Sequence, residues 1–158
     1  MTSPTLQGLI ERLNQAPFIL PNEQVIWAPR RATPEAIAQV ENALGQPIAG
    51  ALREFLLLRG GGGLKSLPLS GIDPLHPLAR NRGSILGDTL HWRAHGMPGR
   101  YIAIQRDAAD QAPLCLDAQG GSEPPVIRWA SGQAQPVASG FIDFYAASHE
   151  AVFRQAGI

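Results

Sequence analysis

The chain predicts an α+β fold: a single domain with a mostly antiparallel sheet packed against helices. Three observations predict it. Helix-spaced apolar residues dominate the first sixty positions, short apolar runs separated by turn residues fill 101–129, and helical spacing returns after Ser139. Helices, then strands, then a helix is an α+β order, whereas alternation would have meant a parallel sheet. The length of 158 residues suits one domain over 1–158. A composition of 44% hydrophobic and 16% charged residues is that of a folded chain.

The elements follow in order. Ser3 and Pro4 offer an N-cap and a first-turn proline, and Leu6, Leu9, Ile10 and Leu13 form one stripe until Pro17 and Pro21 stop it. Val25–Trp27 reads as a short extended segment. Thr33-Pro34-Glu35 opens a second helix with a cap, a proline and an acid at the positive helix end. Ile37, Val40, Glu41 and Leu44 continue it, and Gly45 sits where a left-handed cap is wanted. A third helix runs from about Ala49 to Arg59. Leu57 and Leu58 widen its apolar face, which predicts cover on two sides, and Gly60–Gly63 ends it. Nine Gly and four Pro between residues 60 and 99 make that stretch loop-rich. Within it Leu64–Leu69 reads as a strand and Ser84–Arg93 as a helix. Tyr101–Gln105, Pro113–Leu116 and Val126–Trp129 read as an antiparallel meander, with turn chemistry at 106–110 and 117–122. Ser139 then caps a last helix whose face carries Phe141, Phe144, Tyr145, Ser148 and Val152.

Thirteen basic and thirteen acidic residues give a net charge of zero. That argues against direct nucleic-acid binding through a broad basic field, and against an acidic mimic of nucleic acid. The single cysteine, Cys115, allows no intramolecular disulfide. The opening MTSPTLQGLIERLNQ lacks a basic region followed by an apolar core, and no apolar run approaches the ~20 residues of a membrane span. A cytoplasmic protein with no membrane partner is expected.

Catalytic and metal patterns are incomplete. His91 and His95 stand four apart, but Trp92 occupies the position where a metalloprotease helix needs Glu, and no Cys cluster completes a first shell. Cys115 lies between two leucines in an apparent strand, as a buried thiol would. Gly60–Gly63 with Lys65-Ser66 evokes a phosphate loop, yet the glycines follow a helix and Leu64 intervenes. No cofactor, no metal and no enzyme activity are expected.

The stretch TPEAIAQVENALGQPIAGALREFLLLRGGGGL resembles the opening motif of the SUKH superfamily, the yeast cell-wall-assembly-regulator-like domains. Its pattern is carried by Glu41, Leu44-Gly45, Ile48, Phe55-Leu56 and Gly60-Gly61-Gly62. The second half is similar too, through Tyr101–Ile104, Asp107–Asp110, Leu116-Asp117, Val126–Trp129 and Ser139–Phe144. The resemblance covers roughly Thr33 to Tyr145, with Pro47 before Ile48 rather than after a leucine, and glycines where an Asn-Gly turn is usual. It implies an α+β domain without enzyme chemistry. It also implies an immunity protein that binds and neutralises a co-encoded bacterial toxin or, alternatively, a regulatory adaptor of the same fold. Arg and Trp are favoured interface anchors, so Arg80, Arg82, His91, Trp92, Arg93 and Arg100 are the candidate partner-binding residues. Trp27, Phe55, Trp129, Phe141 and Phe144 are expected in the core.

Overall fold

The computed structural model describes residues 5–16, 23–107, 109 and 111–155. Ser3, Pro4, Pro17, Pro21 and Asp110 lie outside the described residues. The first helix, Leu6–Asn14 (α1), is capped by Thr5 rather than Ser3: the Thr5 hydroxyl accepts from the Gly8 amide at 3.0 Å. Pro34–Leu44 (α2) has the expected Thr33 cap and a left-handed Gly45 at its end. Glu41 joins α2 to the next helix. Its carboxylate accepts from the Ile48 amide at 2.7 Å and lies 3.6 Å from Arg53. Gly50–Arg59 (α3) buries Ala51, Leu52, Phe55 and Leu56, but Leu58 is exposed. The expected cover on two sides is therefore corrected to one. A run of three leucines exceeds the width of a single buried face.

Val25–Trp27 (β1) pairs antiparallel with Gly62–Leu64 (β2). The strand expected over Leu64–Leu69 is thus shifted back onto the glycines. Leu69 makes isolated bridges to Gly62 and to Gln105, which ties this ribbon to the main sheet. After a long loop comes Ile85–Arg93 (α4), with Ser84 as its cap. The main sheet runs Tyr101–Gln105 (β3), Leu114–Asp117 (β4), Val126–Ala130 (β5) and Gln133–Ala138 (β6), antiparallel in sequence order. The fourth strand extends the expected three-stranded meander. It follows a Ser131-Gly132 turn in which both residues have positive φ, the geometry of a tight hairpin. Ile127 pairs with Pro136 while Val126 pairs with Ala138, so Val137 is an extra, bulged residue. The last helix, Phe141–Gln155 (α5), starts two residues after Ser139, whose hydroxyl donates to the Asp143 carboxylate at 2.7 Å.

The sheet has a core on each face. Ile102, Ile104, Leu114, Leu116 and Val126 join the main core with α1, α2, α3 and α5. The alternate residues Ala103, Cys115, Ile127 and Trp129 pack on Trp92 and Met97 in a smaller core, as the period-2 alternation of strands requires. Helix α4 flanks the β3 edge and supplies both cores. Between them the Thr89 hydroxyl accepts from the Ala103 amide at 3.0 Å. Together these elements form a single α+β domain.

Candidate interaction surface

The loop between β2 and α4 is fixed from below by one carboxylate. Asp88, 1% exposed in the first turn of α4, accepts from Ser70 Oγ at 2.6 Å, Arg82 Nε at 2.6 Å and the Gly83 amide at 3.1 Å. A buried charge is tolerated when it is paired and fully hydrogen-bonded. The loop also carries its own turns. Asp73 Oδ1 accepts from the Leu75 amide, and Ser84 Oγ donates to the Ala79 carbonyl.

Beside this loop the chain crosses itself at van der Waals distance. A Cβ at Gly60 would strike the Arg30 carbonyl oxygen, and one at Gly71 would strike the Gly60 carbonyl oxygen. One at Gly61 would lie 2.7 Å from the Gly71 Cα. Only glycine permits such an approach. The glycines after α3 do cap that helix, with Gly60 left-handed at φ 77°, but they also make a backbone floor. Two adjoining clefts open over it, of about 290 Å³ and 320 Å³. They share Ala28, Pro29, Gly71 and Gly83. Arg30, Asp73 and His76 line the first, and Ile26 and Arg106 the second. A third cleft of about 560 Å³ lies between β6 and α5, lined mainly by apolar residues such as Leu114, Val137, Phe144 and Val152.

The six candidate partner-binding residues do not converge on one spot. Arg80 is exposed beside the first cleft, between Ala79 and Asn81, which line it. Arg82 is turned to Asp88. Trp92 is buried against Trp129, ring centroids 6.2 Å apart. Half-buried His91 meets the Trp92 ring edge-on at 5.0 Å. Arg93 donates to the Leu44 carbonyl at 2.9 Å and the Gly99 carbonyl at 2.7 Å, and burial lowers its pKa. Arg100 grips Asp117 with two hydrogen bonds, which raise the pKa of its guanidinium.

The other chemical candidates have structural partners. His95 Nδ1 donates to the His91 carbonyl at 2.8 Å, and no three metal-ligating side chains come together among the described residues. Cys115 is fully buried, which pushes its thiol pKa far above the usual range. Ser66 Oγ donates to Glu23 Oε2 at 3.0 Å, and the Lys65 amide donates to the Gln24 carbonyl.

Sequence reasoning missed two features. One is Asp88, whose burial no periodicity signals. The other is His149 on α5, 1% exposed. Among the described residues neither ring nitrogen of His149 has a hydrogen-bond partner, nor does the hydroxyl of Tyr145, whose ring lies 4.2 Å away. Burial, reinforced by the Arg12 charge, lowers the His149 pKa to about 4. The helical spacing of Tyr145 and His149 was the available signal, since residues four apart share a face.

No helix among the described residues is long and apolar enough to cross a membrane. No curated protein matches the chain. The family model SUKH_5, described as SMI1-KNR4 cell-wall, matches residues 6–148. The match begins at α1, well before the motif at Thr33, and α1 packs directly on α5 in the main core. With its sequence motifs, its α+β architecture and nearly its whole length in agreement, the chain belongs to the SUKH_5 (SMI1-KNR4) family.

Proposed function

We propose that this protein is a cytoplasmic, non-catalytic immunity protein that neutralises a co-encoded bacterial toxin by binding it. The observation that carries the reading is the family match across residues 6–148. The fold is consistent with it: a loop held in one shape offers a preformed surface, and less conformational freedom is lost on binding. Inhibition would be steric, through an interface of about 1,200–2,000 Å² covering the toxin's active site. The test is co-expression with the gene product encoded next door. Rescue of growth by the full chain supports the reading, whereas unchanged toxicity, or a neighbour without toxicity, overturns it.

A second reading, a regulatory adaptor for an endogenous protein, is favoured by the family's cell-wall description. Co-purification of one defined housekeeping partner, without rescue from any neighbouring gene product, would select it.

A further inference from the structure

The two glycine-floored clefts bring several cations without ion pairs among the described residues together with exposed apolar side chains. Arg30, Arg31, Arg80 and Arg106 are exposed on or beside them. None of the four has an ion-pair partner among the described residues. Elsewhere Arg12 pairs with Glu150, Arg53 with Glu41, Arg82 with Asp88 and Arg100 with Asp117. Two acids lie nearby, Asp73, which accepts from the Leu75 amide, and Asp107, which accepts from the Gln111 amide, so the four arginines outnumber them. A chain of zero net charge thus carries a local cationic rim. Ile26, 54% exposed, lines the second cleft, and Leu75 at 59% and Leu78 at 50% flank His76 and Pro77, which line the first.

Resting on the toxin-binding reading, we propose that this face is the partner-binding surface, and that its occupant is a protein segment presenting carboxylates beside an apolar side chain. Carboxylates match the fork of an arginine, and apolar contact at the leucines supplies what charge does not. The backbone floor lets a partner's chain lie close, because no side chain projects from the glycines. A nucleic acid is the wrong occupant. Single strands are gripped by exposed aromatic rings, whereas Trp27, which lines the second cleft, is half-buried and the His76 imidazole is the one exposed aromatic ring on the two clefts among the described residues. The Trp27 Nε1 donates to Asn14 and Arg59 covers the indole face. The Asp88 hub holds the loop in place, so the surface exists before the partner arrives.

The test uses the full chain and a catalytically disabled form of the toxin encoded beside it. Calorimetric affinity is measured for the parent, for R30E/R80E, for L75D/L78D, and for a control of equal charge change elsewhere, R128E/R154E. Urea midpoints of all four establish that each is folded. Both cleft variants are expected to weaken binding at least about 100-fold and the control less than about 3-fold. Parent affinity is expected to fall as salt rises from about 50 to about 300 mM. Binding unchanged in both folded cleft variants overturns the surface assignment while the immunity reading stands. No binding by the parent overturns the immunity reading itself. A polyuridine 12-mer, followed by fluorescence anisotropy, provides the last arm. Binding that R30E/R80E abolishes while toxin affinity is untouched would assign the face to nucleic acid and overturn the proposal.

Discussion

Asp88 and His149 are both 1% exposed and both titratable, yet the fold treats them in opposite ways. Asp88 is surrounded by a hydroxyl, a guanidinium and a backbone amide, so its carboxylate oxygens are satisfied. His149 sits against Tyr145 with no hydrogen-bond partner at either nitrogen among the described residues, so the fold favours its neutral form. The difference shows what each region does. The satisfied carboxylate holds a loop that presents side chains to solvent. The unsatisfied ring fills space where α5 meets α1, and Arg12, bonded to Glu150 and stacked 4.3 Å over Phe153, closes the site from outside.

The largest expected effect breaks the first half of this comparison. Asp88→Ala leaves Ser70 Oγ and the Gly83 amide without this acceptor and removes one partner of the half-buried Arg82. It should destabilise the domain by about 3 kcal/mol in urea unfolding. Hydrogen exchange should show the loss concentrated in residues 71–84. Exchange unchanged in that loop would mean that Asp88 does not hold it.

The second effect concerns acid. The His149 pKa is about 4 in the fold, below its ordinary 6.5, so the unfolded chain binds the proton more tightly. Stability should be fully present above about pH 6.5 and decline as pH falls toward 4, by roughly 3 kcal/mol over the window. Arg12 disfavours the imidazolium and Glu150 favours it, while Arg154 acts on Glu150. His149→Phe should remove the slope between those pH values and leave stability at pH 7 the same or higher, as two unpaired nitrogens are gone. A slope that survives the substitution would place the titrating group elsewhere.

A third variant separates the carboxylate hub from the backbone crossing. Gly71→Ala drives a methyl into the Gly60 carbonyl and should cost about 1–3 kcal/mol, with weaker partner binding even where the chain is folded. The smallest effect sets the scale. Arg100→Ala removes an exposed pair with Asp117 and should barely move the urea midpoint. A shift as large as that of Asp88→Ala would erase the distinction between buried and exposed carboxylates.

Much of the fold was legible because local rules and tertiary packing agree. Thr33-Pro34 and Gly45 bound their helix, and Tyr101–Gln105 was apolar enough to read as a strand. Strand β6 was not legible: QAQPVA is solvent-exposed at nearly every position, so no alternation marks it, and Pro136 argues against a strand. The Ser131-Gly132 turn was the missed signal. The surroundings of the candidate partner-binding residues were legible only in part. Arginine enrichment pointed to the loop-rich middle, but sequence could not tell that Arg82, Arg93 and Arg100 spend their donors inside the molecule while Arg30 and Arg106 do not. That sorting depends on which acids and carbonyls the fold brings near, contacts far apart in the chain.

The main sheet ends at β6 with an outer border that no other strand among the described residues covers. Such a border is a template on which further copies could add. Here a proline removes one donor from the strand and the bulge at Val137 bends it. A border broken this way offers a second copy of the chain few consecutive positions at which to pair.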